Sequence, residues 1–223
     1  HGLSTVGIRK EIENFNPDIV GISSMYTMYA GGAHVVAEII RNTGKDIPII
    51  CGGTHATVNP QMLMRDDNIS LIVKGEGEIT FLELVRALES NRDISGLEGI
   101  IYRKDGKIIE NPSRALIKNL DDLPFPSRHL FPIRQYFNNI SNAKSYNMRH
   151  PVTTVITSRG CPGKCIYCCV KKIWGRVWRA RSPAAIIDEV EFLIRNYGIK
   201  EVHFTDDCIS VDKDRLYRLC EEI

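Results

Sequence analysis

Three thiols stand at Cys161, Cys165 and Cys168, in C-x3-C-x2-C spacing. A β-branched run, residues 153–157, precedes them and reads as a buried strand. That run gives out at Gly160, so the thiols lie on the loop beyond a strand's carboxyl end. Loop thiols this closely spaced can converge on one metal centre. They are too close together to be the arms of a disulfide scaffold, and Cys runs of this general kind hold iron–sulfur clusters. A cubane has four irons, so three thiolates leave one iron open to bind and reduce a small molecule. Two other readings fit the same residues. One is structural zinc, with Cys169 or a distant His as fourth ligand. The other is a set of buried free thiols. Zinc sites usually add a second C-x2-C or an H-x3-H, which the sequence lacks, and adjacent Cys168 and Cys169 cannot easily ligate one ion. Cys169 is expected to pack as a small hydrophobe.

The chain that must position these thiols has 223 residues, 43% of them hydrophobic, which is room for one large or two small domains with a core. A net charge of +2 signals no strong nucleic-acid or membrane field, and no apolar run approaches the roughly 18 residues of a membrane span. Seven Cys without a visible secretory signal point to a reducing cytoplasm and metal chemistry. The chain opens on His1 and stops at Ile223 inside an amphipathic segment, and so reads as a piece of something longer.

The Cys run, lying just after a strand and with the aromatic Tyr167 before its third Cys, resembles the signature of the radical S-adenosylmethionine (SAM) superfamily. The resemblance implies that Cys161, Cys165 and Cys168 bind a 4Fe-4S cluster and that SAM chelates the open iron through its amino and carboxylate groups. Electron transfer would then give methionine and a 5′-deoxyadenosyl radical, with an electron donor such as flavodoxin or ferredoxin as partner. Tyr167 and Arg181 are expected near SAM. The basic, aromatic segment 171–181 is expected to cover the cluster; a nucleic-acid reading of it is weak because the segment is short and the chain nearly neutral. Residues 201–205 read as the second barrel strand, with Asp206 and Asp207 at its carboxyl end, where α/β barrels place functional residues. By resemblance one of the two binds the ribose or amino group of SAM; a capping Asp is the structural alternative. His203, mid-strand, is expected to be packed.

Ahead of the thiols, apolar runs at 19–23, 49–51 and 71–74 alternate with helical segments at 8–15, 33–41, 61–65 and 75–88. Such alternation means a doubly wound, Rossmann-like parallel sheet with ligands beyond the strands' carboxyl ends. Ser23-Ser24-Met25, Gly52 to Thr57 and Gly75-Glu76-Gly77-Glu78 occupy that position. All are small, polar or Gly-rich, as close approach to a ligand requires, although Gly ends strands everywhere. Together they resemble the cobalamin-binding domain that precedes many radical SAM cores. The resemblance implies that Ser23, Ser24, Gly52, Gly53, His55, Thr57, Gly75, Glu76, Gly77 and Glu78 line a cobalamin site, with His55 a hydrogen-bonding neighbour rather than a cobalt ligand. Glu76 and Glu78 read equally as helix N-terminal carboxylates.

Asp105-Gly106 marks a hairpin turn, and residues 120–132 form a Pro-punctuated linker. Residues 136–151 read as a surface loop, or one that faces substrate. Ser182 and Pro183 are a helix N-cap and first-turn pair. The expected layout is therefore a cobalamin-binding-like domain over 1–95, a hairpin and linker over 96–150, and the start of a partial TIM-type radical SAM barrel over 151–223. The expected function is radical cleavage of SAM with methylation of an unactivated carbon on a small-molecule substrate. Radical cyclisation on a similar scaffold, or a non-catalytic iron–sulfur or zinc module, are the alternatives.

Overall fold

The computed structural model describes residues 2–139 and 147–223; part of the expected 136–151 loop lies outside the described residues. The chain divides into two compact units, one running to Leu116 and one from Ile117 to Ile223.

The first unit is a five-stranded sheet in the order β1-β2-β3-β4-β5. Its parallel part is β1 (Val20–Ser23), β2 (Ile49–Gly52) and β3 (Leu71–Val73). Helices α1 (Thr5–Phe15), α2 (Gly31–Arg41), α3 (Thr54–Val58), α4 (Pro60–Met64) and α5 (Gly77–Glu89) connect or flank these strands. The continuous apolar runs of β2 and β3 are explained by burial on both faces, whereas β1, at the sheet edge, leaves Gly21 and Ser23 exposed. Ile49 and Cys51 of β2 join Ile72 and the helical residues Ile12, Ala37, Ile40 and Leu63 in one cluster. Ile50, between them in sequence, packs on the other face with Leu71, Val73 and Leu84 of α5. A period of two thus assigns alternate residues to the two faces.

The expected hairpin, β4 (Ile100–Lys104) and β5 (Lys107–Glu110), is present, and it adds two antiparallel strands to this sheet through β3. Asp105 and Gly106 both take positive φ, 52° and 73°, as a two-residue type I′ turn requires.

In the second unit, α6 (Ile133–Asn139) precedes β6 (Val152–Val155), which pairs in parallel with β9 (Glu201–Phe204). The connection between them holds β7 (Ser158–Arg159), α7 (Val170–Ile173), β8 (Arg179–Ala180) and α8 (Pro183–Tyr197); α9 (Lys213–Glu222) follows β9. Ser182 accepts from the Ala185 amide and Pro183 opens α8, while Gly198 closes it in the left-handed region. Phe137, Val155, Leu193 and Ile199 form the core of this unit.

Glu189 of α8 is 2% exposed and takes a cation on each oxygen. Arg128 donates to Oε1 at 2.7 Å and Arg181 to Oε2. Removing one member of a buried ion pair leaves the others desolvated and uncompensated. Glu189→Ala is therefore expected to lower the unfolding free energy of the second unit by about 3–5 kcal/mol. Urea unfolding followed by tryptophan fluorescence measures it, since Trp174 and Trp178, the chain's 2 tryptophans, both lie in that unit.

Candidate functional sites on the two units

In the first unit the three strand-end segments are joined by hydrogen bonds. The Ser24 amide donates to Gly52 O at 2.8 Å, and the His55 amide donates to Ser24 O at 2.9 Å. A Cβ on Gly53, whose φ is 96°, would fall 2.9 Å from Ser24 O, so only glycine lets the first two segments approach this closely. Thr57 Oγ1 donates to Gly53 O and accepts from the Gly75 amide, both at 2.9 Å, which ties in the third segment. The sequence reading took residues 52–57 as loop, but Thr54 to Val58 form the short helix α3. Ser23 is exposed and Ser24 buried. Gly52 is half-buried, and Gly77 opens α5, with Glu76 buried at its cap and Glu78 exposed in its first turn. Met25, Tyr26, Met28 and Tyr29 follow β1 as an exposed apolar lip that composition alone did not single out.

His55 is 1% exposed. Its Nδ1 lies 3.0 Å from Thr27 Oγ1, and its Nε2 is buried with no partner among the described residues. Burial first, and the neighbouring His34 second, lower its pKa and keep the ring neutral. A buried imidazole with one unsatisfied nitrogen fits a hydrogen bond to a bound molecule.

In the second unit the thiol loop is closed at its neck by the β7–β8 pair, Ser158 opposite Ala180 and Arg159 opposite Arg179. Residues 160–178 form the loop. Gly160 has φ 87°, and a Cβ there would lie 2.4 Å from Val177 O. Cys161 and Cys168 are half-buried and Cys165 is exposed. A Cβ on Gly163 would meet Cys161 Sγ at 3.3 Å and Cys165 Sγ at 3.8 Å, so these two thiols lie over the same bare stretch of backbone. The donor set fits an iron–sulfur centre. Among the described residues no three His, Cys, Asp or Glu side chains gather as ligands of a single ion would. Thiolates of a cubane bind different irons and do not meet at one point. Tyr167, before the third thiol, is 89% exposed.

Several expectations are corrected. Cys169 is exposed rather than packed. His203 is half-buried and pairs through Nε2 with Glu201 Oε1 at 2.5 Å. The expected strand at 153–157 stops at Val155, and Ser158 opens the neck. Arg181 spends its guanidinium inside the fold, on Glu189, on Ala185 O at 2.8 Å and over the Phe125 ring, which leaves no open fork for SAM.

Asp206 is likewise engaged: it accepts from the Thr157 amide at 3.1 Å, Thr157 Oγ1 at 2.9 Å and Ser158 Oγ at 2.5 Å. Asp207 is exposed, and partial desolvation, then the Asp206 charge, push its pKa up. The segment 171–181 is structured, not a free loop. Trp174 lies under the Arg159 guanidinium, Trp178 under that of Arg215, and Trp178 Nε1 donates to Cys208 O at 2.9 Å. Thr27, Thr157, Ser158 and Arg215 were missed in the sequence, because nothing local distinguishes them from ordinary strand-end or helix residues.

A doubly wound unit with polar, Gly-rich strand ends, followed by a parallel strand pair whose first strand leads into three loop thiols, defines an α/β class with a candidate site on each unit. Residues 4–85 match the B12 binding domain and residues 155–223 the radical SAM superfamily. The chain belongs to the radical SAM proteins that carry a B12 binding domain, whose cofactors are cobalamin, a 4Fe-4S cluster and SAM.

It is 40% identical over 215 residues to an uncharacterized methyltransferase of Pyrococcus horikoshii, across 96% of this chain and 44% of that protein. It is 32% identical over 247 residues to the cytidylyl-2-hydroxyethylphosphonate methyltransferase of Streptomyces wedmorensis, across 100% of this chain and 46% of that one. The chain thus spans less than half the length of these curated relatives. In fold it is similar to a radical SAM methyltransferase from Kitasatospora setae, solved with tryptophan substrate and a SAM analogue, at a TM-score of 0.76 and 22% identity over 98% of this chain and 42% of that one. No helix among the described residues is long and apolar enough to cross a membrane.

Two measurements follow from this geometry. Gly160→Ala forces a left-handed alanine against Val177 O, a strain of at least about 1–3 kcal/mol; the tryptophan-monitored melting temperature is expected to fall. For His55 the folded-state pKa is depressed, so protonation favours unfolding. Stability is complete where the ring is neutral in both states and falls as pH drops below the unfolded value of about 6.5. Urea unfolding of the first unit at about pH 7.5 and 5.5, read by amide exchange, is expected to show this loss, and a smaller one in His55→Gln.

Proposed function

We propose that this chain is the cofactor-binding part of a cobalamin-dependent radical SAM methyltransferase that acts on an unactivated carbon of a small-molecule substrate. The observation that carries the reading is a chain with a B12 binding domain and, after it, three thiols on a loop closed at the carboxyl end of a parallel strand. Identity is higher to named methyltransferases, 40% and 32%, than to a ring-forming cyclase, 30%, which supports methyl transfer over ring formation.

When bound, the cofactors supply one-electron cleavage of SAM and a transferable methyl group. The chain's own residues bind and orient them. Cys161, Cys165 and Cys168 are the cluster ligands, and the exposed Tyr167 is a contact for SAM. Asp207, exposed beside the strand end, is the free carboxylate for the SAM amino group or ribose, while Asp206 fixes the backbone that precedes the thiols. Ser23, Ser24, Gly52, Gly53, Thr57, Gly75, Glu76, Gly77 and Glu78 form the cobalamin cradle. His55 Nε2 is its buried polar contact, and the apolar lip from Met25 to Tyr29 suits a large macrocycle. A flavodoxin- or ferredoxin-type protein supplies the electron, in a reducing cytoplasm where seven free thiols persist.

Anaerobic turnover of the full-length protein with SAM, reductant and methylcobalamin tests the reading. Methionine and 5′-deoxyadenosine are expected to form, and their absence overturns it; a product that gains a ring and no methyl group would favour cyclisation. Cys161→Ser, Cys165→Ser and Cys168→Ser are each expected to lose the four-iron load and SAM cleavage, whereas Cys169→Ser keeps both.

A further inference from the structure

The base of the thiol loop is held by a side chain from outside it. Arg215 lies in the first turn of α9 and is 4% exposed. Helical side chains lean toward the helix N-terminus, so this one reaches back over the strand ends. Its Nε donates to Arg181 O at 2.8 Å and its Nη2 to Thr157 O at 2.9 Å. Thr157 immediately precedes β7 and Arg181 immediately follows β8, so one guanidinium spans both strands of the neck. Thr157 O also accepts from the Arg181 amide at 2.9 Å, which extends the β7–β8 ladder by one bond. The face of the guanidinium lies 5.6 Å from the centre of the Trp178 ring, and Trp178 is itself in the loop.

This placement is costly. A cation in the first turn of a helix opposes the macrodipole. Burial lowers the Arg215 pKa, and Nη1 has no partner among the described residues. Asp212 caps the same turn by accepting from the Arg215 amide, which fixes the backbone from which the side chain departs. A lysine would supply the charge but neither the planar fork nor the stacked face.

We propose that Arg215 is a positioning residue for the cluster: it staples the neck of the thiol loop so that Cys161, Cys165 and Cys168 are held at one spacing before iron arrives. This rests on the reading of those thiols as cluster ligands. With Asp206 pinning Thr157 and Ser158 from the other side, the strand that leads into the loop is locked between an anion after β9 and a cation from α9.

The test uses the full-length protein with Arg215→Met, Arg215→Lys and, as control, the exposed Arg218→Met. Before reconstitution, exchange of the Arg181 amide and the β7–β8 pair is expected to quicken about tenfold in Arg215→Met, the size expected for losing bonds to a charged donor. Exchange in Ile49–Gly52 is expected to stay unchanged. After reconstitution, iron content is expected to fall by about half or more, and the change that SAM makes in the reduced-cluster EPR spectrum to be lost. Arg215→Lys is expected to fall between, and Arg218→Met to match wild type.

An Arg215→Met protein with wild-type iron content and the wild-type EPR response to SAM overturns the staple. If Arg215→Met does not fold, Arg215→Lys decides: wild-type neck exchange in that variant overturns it too. Wild-type protein that takes up no iron overturns the cluster reading, and the staple with it; four irons in wild type with an unaffected methionine variant overturns the staple alone.

Discussion

A loop that holds three thiols at one spacing must leave and rejoin the fold at fixed points, and here that constraint is met at Thr157. Its amide and hydroxyl donate to Asp206, and its carbonyl accepts from Arg181 and Arg215. Every polar group of one residue is thereby bound, in a strand end where each unpaired group would carry a desolvation cost. The partners come from β9's carboxyl end, from the residue after β8 and from α9, so the loop's base is set by elements far apart in sequence. The positive φ of Gly160 and the approach of Val177 O follow from the same closure.

The first unit solves a related problem with smaller groups. Its three strand ends are drawn together by backbone amides, one threonine hydroxyl and a glycine that must lack a side chain. A site built mainly from backbone can admit a large ligand edge-on without placing long charged chains in the way. His55 is the exception, and its buried, neutral ring is consistent with contact to a neutral polar group rather than to an anion.

Much of this was legible in the chain, for identifiable reasons. The parallel strands announced themselves because burial on both faces demands uninterrupted apolar runs, as at Ile49 to Cys51. Asp105-Gly106 fixed the hairpin because few residue pairs tolerate positive φ at both positions. Ser182-Pro183 fixed the start of α8 by local capping chemistry. Thiol spacing marked the loop. What stayed hidden depended on non-local partners. Arg181 looked available because its sequence neighbours are basic and aromatic, yet Glu189, nearly two helical turns into α8, takes its fork. Asp206 and Asp207 are indistinguishable as a pair in sequence, and only the position of Thr157 separates the engaged carboxylate from the exposed one. Free cysteine usually packs as a small hydrophobe, yet Cys169 is exposed between the half-buried Cys168 and Val170.

The division of labour between those two aspartates follows from electrostatics rather than from their order. Asp206 accepts three well-directed donors, so its negative charge is fixed in place. Partial desolvation first, and that neighbouring charge second, raise the proton affinity of Asp207. A carboxylate held this way meets an ammonium or a ribose hydroxyl with a stronger acceptor than an isolated surface Asp, because binding a cation also relieves the repulsion from its neighbour. The engaged carboxylate thus conditions the exposed one, and the same strand end supplies both the mechanical base of the thiol loop and the electrostatic bias beside it.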